Sequence, residues 1–363
     1  MKKLGFGCMR LPMNGENVDY AEMTRMVDAF MENGFTYFDT AHGYVDGKSE
    51  IALRECLTSR YPRESYVLAD KLSNRFFNSE QEIRPLFESQ LKACGVDYFD
   101  YYLMHAQDKN IYEKFKACRA YETALELLQE GKIKHFGISF HDKAEVLEQI
   151  LTEYPQVEVV QIQLNYVDYD DASVEARKCL ETCVKHGKQV IVMEPVKGGS
   201  LAQLPDAAQK VFDALDGGSN ASYAIRFAAG QPGVMVVLSG MGNMNMMLDN
   251  ISYMKEFVPL NDEEQTAVDK VCGILRGLGT VPCTACRYCT EVCPMGIAIP
   301  ELFACLNAKK VFNNWNTGYY YRNIHTKDGN KASDCIGCGR CEGMCPQHLP
   351  IRELLKEVAA QFE

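Results

Sequence analysis

Long apolar runs are missing from this chain of 363 residues. No stretch of 18 apolar residues occurs, which excludes a membrane-spanning helix of ordinary length, and residues 1–7 contain no apolar core of a signal peptide. Basic residues are also in deficit. The 38 Lys and Arg face 49 Asp and Glu, and the net charge of −11 argues against a nucleic-acid partner. We therefore expect a cytoplasmic protein that acts without a membrane or a nucleic acid.

Two common cofactor signatures are missing as well. No G-x-G-x-x-G motif follows the first predicted strand, so the chain lacks the fingerprint of a Rossmann dinucleotide site. The seven histidines are few and irregularly spaced, and His42 and His141 do not form a pattern of metal ligands. Any cofactor site must therefore use other residues.

What the chain does have is a regular alternation of short, β-rich apolar runs and amphipathic helical stretches up to about residue 258. This alternation predicts repeated βα units around a parallel sheet. The predicted strands lie at residues 4–9, 37–40, 66–69, 99–104, 135–139, 157–164, 189–193 and 234–239. Eight such units in about 250 residues favour an α/β fold of the (β/α)8 TIM-barrel type over an open doubly wound sheet.

Two cysteine runs follow this region. They read Cys283-x2-Cys286-x2-Cys289-x3-Cys293-Pro294 and Cys335-x2-Cys338-x2-Cys341-x3-Cys345-Pro346, a spacing that resembles two-cluster bacterial ferredoxins. Structural zinc usually uses paired C-x2-C knuckles, and disulfides need an oxidising compartment, so both alternatives fit less well. The resemblance assigns Cys283, Cys286, Cys289 and Cys345 to one [4Fe-4S] cluster. It assigns Cys335, Cys338, Cys341 and Cys293 to the other.

The runs also define the domain organisation. We predict a barrel over residues 1–258, a connecting helix and linker over 259–279, and a small, mainly helical dicluster ferredoxin-like domain over 280–363. The 41 residues between the runs, 294–334, exceed those of compact ferredoxins and favour a helical type. The other eight cysteines have no ligand spacing, so we expect them to pack as small apolar side chains.

Four polar residues lie at or just past the ends of three early strands. Asp39 and Tyr44 follow the second strand, Lys71 the third and His105 the fourth. The C-terminal ends of barrel strands meet on one face, so these side chains are expected to share a pocket. At these positions the sequence resembles the aldo/keto reductase family, whose catalytic tetrad is Asp, Tyr, Lys and His. The resemblance covers residues 1–258 and includes the pair at 49–50 that follows the Tyr.

The resemblance implies a chemistry that needs these residue types. Reduction of a carbonyl by hydride requires a proton donor at its oxygen, and a phenol with a pKa near ~10 is too weak an acid without help. Lys71 would stabilise the anion of Tyr44, and Asp39 would keep Lys71 charged and oriented. His105 would hold the substrate oxygen by a hydrogen bond and complete a preorganised oxyanion site.

The family pattern also implies where a nicotinamide cofactor binds. Ser139 and Gln161 would hold the carboxamide, Gly198 and Gly199 the pyrophosphate, and Asn250 the adenine. The complete set of implied contacts comprises Gly7, Met9, Ser139, Gln161, Met193, Pro195, Lys197, Gly198, Gly199, Ser239, Gly240, Met241, Asn243 and Asn250. Loops after the last two barrel strands commonly bind phosphate.

The sequence departs from this pattern at several positions. Phe140 replaces the Asn that commonly follows the carboxamide Ser, and Met193 stands where many members have a ring-stacking aromatic residue. Gly240 and Met246 occupy the places of the Lys and Arg that grip the 2′-phosphate of NADP, although Lys197 can compensate. The choice between NADP and NAD therefore stays open.

Three functional hypotheses follow, because hydride transfer moves two electrons together whereas a cubane passes one. In the first and preferred one, the chain is an NAD(P)H-dependent reductase of a small-molecule aldehyde or ketone, with two [4Fe-4S] clusters for one-electron transfer. In the second, a flavin or a ferredoxin or other redox protein supplies electrons for an activated or unsaturated substrate. In the third, the chain is a redox-sensing or electron-transfer subunit with the barrel as scaffold.

Overall fold

The structure, a computed structural model, describes residues 1–171, 174–215, 217–312, 316–327 and 329–363. Its backbone divides into two compact units. The first contains Met1–Pro195 and Ala221–Leu260, and the second contains Val196–Asn220 and Asn261–Glu363. The second unit thus combines a segment that follows the seventh predicted strand with the C-terminal region.

Eight strands of the first unit match the predicted ones in place, and two further short strands form a separate hairpin. They are β1 (Leu4–Gly7), β2 (Met13–Asn14), β3 (Asn17–Val18), β4 (Tyr37–Asp39), β5 (Val67–Leu72), β6 (Phe99–Gln107), β7 (Ile133–Phe140), β8 (Val159–Gln163), β9 (Gln189–Met193) and β10 (Val234–Ser239). Parallel pairing in the order β1-β10-β9-β8-β7-β6-β5-β4 closes a barrel, because β1 also pairs with β4. The predicted (β/α)8 barrel is confirmed.

The small hairpin β2–β3 was not among the predicted strands. Its two antiparallel strands have two residues each, with Met13 opposite Val18 and Asn14 opposite Asn17. Gly15 at the turn has a φ of +62°, a left-handed conformation that favours glycine. A two-residue strand is too short to show alternation, although a two-residue loop that begins with Gly, here Gly15-Glu16, is a common hairpin turn.

Helices follow the barrel strands and form the second unit. Their bounds are α1 (Tyr20–Glu32), α2 (Lys48–Leu53), α3 (Glu80–Cys94), α4 (Lys109–Ala117), α5 (Ala120–Gln129), α6 (Ala144–Glu153), α7 (Ala176–Lys185), α8 (Asp206–Asp213), α9 (Asn220–Ala229), α10 (Met244–Met254), α11 (Asp262–Gly277), α12 (Tyr288–Glu291), α13 (Ile299–Phe312), α14 (Asn316–Tyr320), α15 (Arg340–Gly343) and α16 (Ile351–Phe362). In α1, for example, Met23, Met26, Val27 and Phe30 recur at helical spacing and are buried.

The barrel interior is filled by apolar side chains. A buried cluster draws on six of the strands and comprises Tyr37, Ala69, Leu103, Val159, Ile191, Val236 and Leu238. Successive residues of a strand point to opposite faces, so these residues face inward and their neighbours face the helices. Gly5 makes room in β1, because a β-carbon there would lie 2.7 Å from Val236 Cγ1.

The second unit is mainly helical, as predicted. Its apolar core includes Ile299, Phe303, Leu306, Ile351, Leu355 and Val358 from α13 and α16, and Cys289 and Cys341 of the two runs are buried in the same cluster. Outside the runs, all eight cysteines are buried, as expected for small apolar side chains. Within the described ranges, no helix is both long and apolar enough to cross a membrane.

Candidate functional site

The alternation of the strands carries three of the four tetrad residues into the barrel. Tyr37, Ala69 and Leu103 belong to the inward-facing cluster of β4, β5 and β6. Two residues further along the same strands lie Asp39, Lys71 and His105. Because the side-chain period of a strand is two, these polar side chains point to the same interior at its C-terminal end.

Lys71 and Asp39 form a buried ion pair. The Lys71 ammonium is fully buried and donates to Asp39 Oδ1 at 2.5 Å and to the carbonyl oxygen of Thr40 at 2.7 Å. Gln161 donates to the other Asp39 oxygen at 3.2 Å. Burial raises the pKa of the Asp39 carboxyl, and the Lys71 charge opposes that rise. The pair therefore holds the Lys71 side chain in a fixed, buried position at the C-terminal end of the barrel.

Tyr44 lies next to this pair on the loop after β4. The loop turns back through Val45, Asp46 and Gly47, which all have positive φ. The Lys71 Nζ atom lies 4.9 Å from the centroid of the Tyr44 ring. Burial raises the pKa of the phenol well above its ordinary value, and the Asp39 charge raises it further. The hydroxyl consequently keeps its proton and is neutral.

His105 completes the group. Its ring centroid lies 5.9 Å from that of Tyr44, with the planes at 78°. Burial lowers the pKa of His105 well below its ordinary value, and the nearby Lys71 charge lowers it further. Ser73 Oγ is within 2.6 Å of His105 Nδ1. The structure thus brings Asp39, Tyr44, Lys71 and His105 together.

Ser73 is a site residue that the sequence reasoning missed. Ser73 is buried and lies two residues beyond Lys71, which is the last inward-facing residue of β5. Continuing the two-residue period past the strand end would have found it. The family resemblance assigns no role to position 73, so only the contact with His105 identifies Ser73 as a site residue.

The implied carboxamide residues lie on neighbouring strands. Ser139 on β7 is in register with Gln161 on β8, and both are buried. The Ser139 hydroxyl accepts a hydrogen bond from the backbone N–H of Ala106 at 3.3 Å, and Gln161 donates to Asp39. The amide of Gln161 therefore links the implied cofactor contacts to the ion pair.

Other implied contacts cluster where β1 meets β10. Gly7 ends β1, and a β-carbon there would lie 3.4 Å from the carbonyl oxygen of Ser239. Met9 lies two residues beyond Gly7, whereas Met193 ends β9 and Pro195 follows it as a buried residue. These positions are near strand ends, as the family pattern implies.

The loop after β10 is closed by side-chain hydrogen bonds. Asn250 donates to Ser239 Oγ at 2.9 Å, and Asn243 caps α10 by accepting from the backbone N–H of Met246 at 3.0 Å. Met241 is fully buried, whereas the space beside Gly242 is open. Gly240, one residue earlier, borders the aliphatic part of Arg10.

A carboxylate occupies the N-terminus of α10. Glu22 Oε1 accepts a hydrogen bond from the backbone N–H of Met244 at 2.9 Å, and the same carboxylate pairs with Arg25. Sequence reasoning missed this contact, because Glu22 belongs to α1. A backbone N–H at this helix end is thus already bonded to a negatively charged side chain.

The implied pyrophosphate residues belong to the second unit. Lys197, Gly198 and Gly199 form a short turn in which all three have positive φ, and Lys197 is buried. Within this unit Gly198 packs on the backbone of Thr284, because a β-carbon at Gly198 would lie 2.8 Å from the Thr284 α-carbon. Thr284 directly follows Cys283, so this turn contacts the first cysteine run.

The first set of predicted cluster ligands surrounds a cavity. Cys283, Cys286, Cys289 and Cys345 line one small cavity together with apolar residues such as Phe303. Three of the cysteines come from the first run and one from the second, which is the crossed arrangement of two-cluster ferredoxins. In the described part of the chain, no three His, Cys, Asp or Glu side chains converge on one metal ion. Donors spread around a cavity suit a cubane better than a single zinc ion.

The second set also draws on both runs. Cys341 is buried in the apolar core of the second unit, and Cys335 and Cys293 pack against the same core. Cys338, the fourth predicted ligand, is exposed. The donor set of thiols alone fits an iron–sulfur cluster.

Comparison with known proteins agrees with both parts of the chain. The model of the aldo/keto reductase family matches residues 3–272, and that of the 4Fe-4S dicluster domain matches residues 282–350. YqkF of Bacillus subtilis, an uncharacterized oxidoreductase, is 24% identical over 285 residues, which are 69% of this chain and 86% of that protein. The NADH-specific methylglyoxal reductase of Escherichia coli is 27% identical over 186 residues, 46% of this chain and 54% of that protein.

Solved structures show the same barrel. The holo form of aldo-keto reductase AKR11C1 from Bacillus halodurans aligns with a TM-score of 0.59 at 25% identity, over 74% of this chain and 91% of that chain. The family match spans most of the chain and the whole barrel. The chain therefore belongs to the aldo/keto reductase family and is an oxidoreductase that carries a 4Fe-4S dicluster domain in residues 282–350.

Proposed function

We propose that the chain reduces a small-molecule carbonyl compound to an alcohol by hydride transfer, with Tyr44 as the proton donor. The observation that carries this proposal is the buried Lys71–Asp39 pair beside the Tyr44 ring, with the His105 ring in edge contact with the same ring. A pocket with one held cation and two neutral donors stabilises the negative charge that develops on a carbonyl oxygen.

A bound reduced nicotinamide supplies the hydride, and the iron–sulfur clusters supply one-electron transfer. Tyr44 gives its hydroxyl proton to the carbonyl oxygen as the carbonyl carbon receives the hydride, so the product is a neutral alcohol. Lys71 lies beside the ring and offsets the negative charge left on the phenolate. Asp39 keeps Lys71 charged, and solvent later returns a proton to Tyr44.

His105 acts as a neutral hydrogen-bond donor in this scheme. Its low pKa keeps the ring uncharged near pH 7. A Ser73 hydroxyl that donates to Nδ1 leaves the ring proton on Nε2. His105 then presents an N–H to the substrate oxygen, and Ser73 acts as a positioning residue for that ring.

We propose NADH as the preferred hydride donor. Glu22 places a carboxylate at the first turn of α10, and the Lys and Arg that grip a 2′-phosphate are replaced by Gly240 and Met246. A carboxylate repels a 2′-phosphate, whereas it accepts hydrogen bonds from ribose hydroxyls. The similarity to an NADH-specific methylglyoxal reductase supports the same preference and suggests an α-ketoaldehyde as a first substrate to try.

For the cysteines we propose two [4Fe-4S] clusters with the crossed ligand sets. Cys283, Cys286, Cys289 and Cys345 would hold the first cluster, in the cavity that they line. Cys335, Cys338, Cys341 and Cys293 would hold the second. Anaerobically purified protein is then expected to contain about eight iron and eight sulfide per chain.

One experiment tests the catalytic proposal. Wild type and Tyr44→Phe are assayed anaerobically for methylglyoxal reduction with NADH and NADPH, and their iron content is measured in parallel. We expect Tyr44→Phe to lose at least about 100-fold in kcat while it keeps its iron. Undiminished turnover in this variant would show that Tyr44 is not the acid.

A further inference from the structure

The two cysteine runs are an internal repeat. Each cysteine of the second run follows its counterpart by 52 residues. Both runs have the same backbone: Arg287 and Gly339 have φ of 67° and 74°, and each starts a four-residue helix, α12 or α15. These helices contact each other. Equivalent positions of the repeat can therefore be compared directly.

Equivalent positions differ strongly in exposure. Thr284, next to Cys283, is 3% exposed, whereas its counterpart Ile336 is 64% exposed. The backbone of Thr284 is covered by Gly198, within the same compact unit. The residue after the first cysteine is therefore covered in the first run and exposed to solvent in the second.

Other residues of the second run are also more exposed than their counterparts in the first run. Cys338 is exposed, whereas its counterpart Cys286 is half-buried. Met344 is 37% exposed although it is apolar, and its counterpart Val292 is half-buried. The second run thus exposes two large apolar side chains on either side of Cys338 in the sequence, and grouped exposed apolar side chains are typical of interaction surfaces.

The charge of this surface favours an acidic partner. Arg340 lies between Cys338 and Cys341, is exposed, and makes no ion pair or side-chain hydrogen bond within the described residues. Residues 282–363 contain 9 Lys and Arg against 8 Asp and Glu, whereas residues 1–281 contain 29 against 41. The net charge of −11 thus resides upstream of the cysteine runs, and an acidic protein is repelled least at the C-terminal region.

We propose that the surface formed by Ile336, Cys338, Arg340 and Met344, here called the Cys338 surface, docks a small acidic one-electron carrier protein of the ferredoxin type. One reduced carrier gives up one electron and the second cluster takes up one, with no atom transferred. This inference rests on the proposed cluster ligands and is independent of the role of Tyr44.

The test uses the anaerobically purified full chain and an acidic ferredoxin that has been reduced and freed of excess dithionite. Stopped-flow absorbance follows the reduction of the clusters as a function of ferredoxin concentration. We expect Arg340→Gln and Ile336→Ser each to lower the second-order rate, and the double variant to lower it at least about tenfold. The wild-type rate falls as salt is raised, because the attraction is electrostatic.

Val258→Ser is the matched control, because Val258 is also apolar and is 63% exposed in the other compact unit. It is expected to react at the wild-type rate. Iron, sulfide and the spectrum after dithionite reduction are compared in every variant, so a loss of the second cluster is recognised. Should Ile336→Ser lose iron, Arg340→Gln carries the test, because an exposed and unpaired side chain is not needed for folding.

Three results would overturn the proposal. The first is the same rate in wild type and in both Cys338-surface variants. The second is faster reduction by a basic carrier such as a cytochrome of positive net charge. The third is reduction by NADH alone as fast as by ferredoxin, which would make the nucleotide the electron source. Loss of carbonyl reduction by Tyr44→Phe affects none of these readings, so the two proposals fail separately.

Discussion

Gly198 lies against the backbone of Thr284 so closely that a β-carbon at position 198 would be 2.8 Å from the Thr284 α-carbon. Gly198 also has a φ of +66°, which favours glycine. The glycine that family resemblance implies for the pyrophosphate therefore has a second reason to be a glycine. It allows the turn after β9 to pack on the first cysteine run.

We predict that Gly198→Ala impairs the first cysteine run. The Thr284 backbone must shift to admit a methyl group, and Cys283 shifts with it, so iron and sulfide content is expected to fall. Gly187→Ala is the matched control, because Gly187 has a φ of +67° and open space around its missing β-carbon. That control suffers only the left-handed strain of about 1 kcal/mol. Equal iron content in the two variants would contradict the prediction.

The Lys71–Asp39 pair gives a stability prediction. Lys71→Met leaves the Asp39 carboxylate buried without its cation, which is expected to cost about 3–5 kcal/mol in the free energy of unfolding of the barrel. The double variant Lys71→Met with Asp39→Asn removes both charges and is expected to recover part of that loss. Urea denaturation followed by circular dichroism measures both. A double variant less stable than Lys71→Met would show that the charges are not coupled.

His105 predicts a pH dependence of stability. Burial, with help from Lys71, His141 and Arg75, lowers its pKa in the folded state. Below about pH 6.5 the unfolded chain binds a proton at this residue that the folded chain does not, so acid favours unfolding, by up to about 1.4 kcal/mol per pH unit. The melting temperature of wild type is thus expected to fall between pH 7 and pH 5.5. His105→Gln is expected to reduce that fall, and an unchanged fall would contradict the assignment.

We predict that Glu22 affects the relative affinities of the protein for NADH and NADPH. Glu22→Gln keeps an oxygen that accepts from the backbone N–H of Met244 but removes the negative charge at the start of α10. We expect the Kd for NADPH to fall roughly tenfold, which is about 1.4 kcal/mol, while that for NADH changes little. Glu32→Gln, at the exposed far end of α1, makes the same change in net charge and serves as control. An unchanged NADPH affinity in Glu22→Gln would remove Glu22 from the cofactor site.

The strands were predictable from the sequence because their residues recur with a regular local spacing. Asp39, Lys71 and His105 were found because each follows an apolar run, and the strand period of two then carries them into the same interior. The cysteine ligand sets are likewise predictions from the sequence, made from the resemblance of the cysteine spacing to two-cluster ferredoxins. Cys283 and Cys345 line one cavity although 62 positions separate them, because the ferredoxin pattern already contains the crossing.

Contacts between distant segments were not predictable from such patterns. Glu22 and Met244 are 222 positions apart, and neither belongs to a motif that names the other. Ser73 contacts His105 only because β5 and β6 are neighbours in the barrel. Pairings of this kind depend on how helices and strand ends pack in three dimensions, and a single sequence carries no signal for them.

The most direct test of the central claim follows the hydride itself. Wild type and Tyr44→Phe are incubated anaerobically with methylglyoxal and NADH that carries deuterium at the transferred position of C4, and the product is analysed by mass spectrometry. The account predicts one deuterium on the former carbonyl carbon of the wild-type product, and at least about 100-fold less labelled product from the variant. Reduced product without deuterium, or equal labelling by both proteins, would contradict hydride transfer through Tyr44.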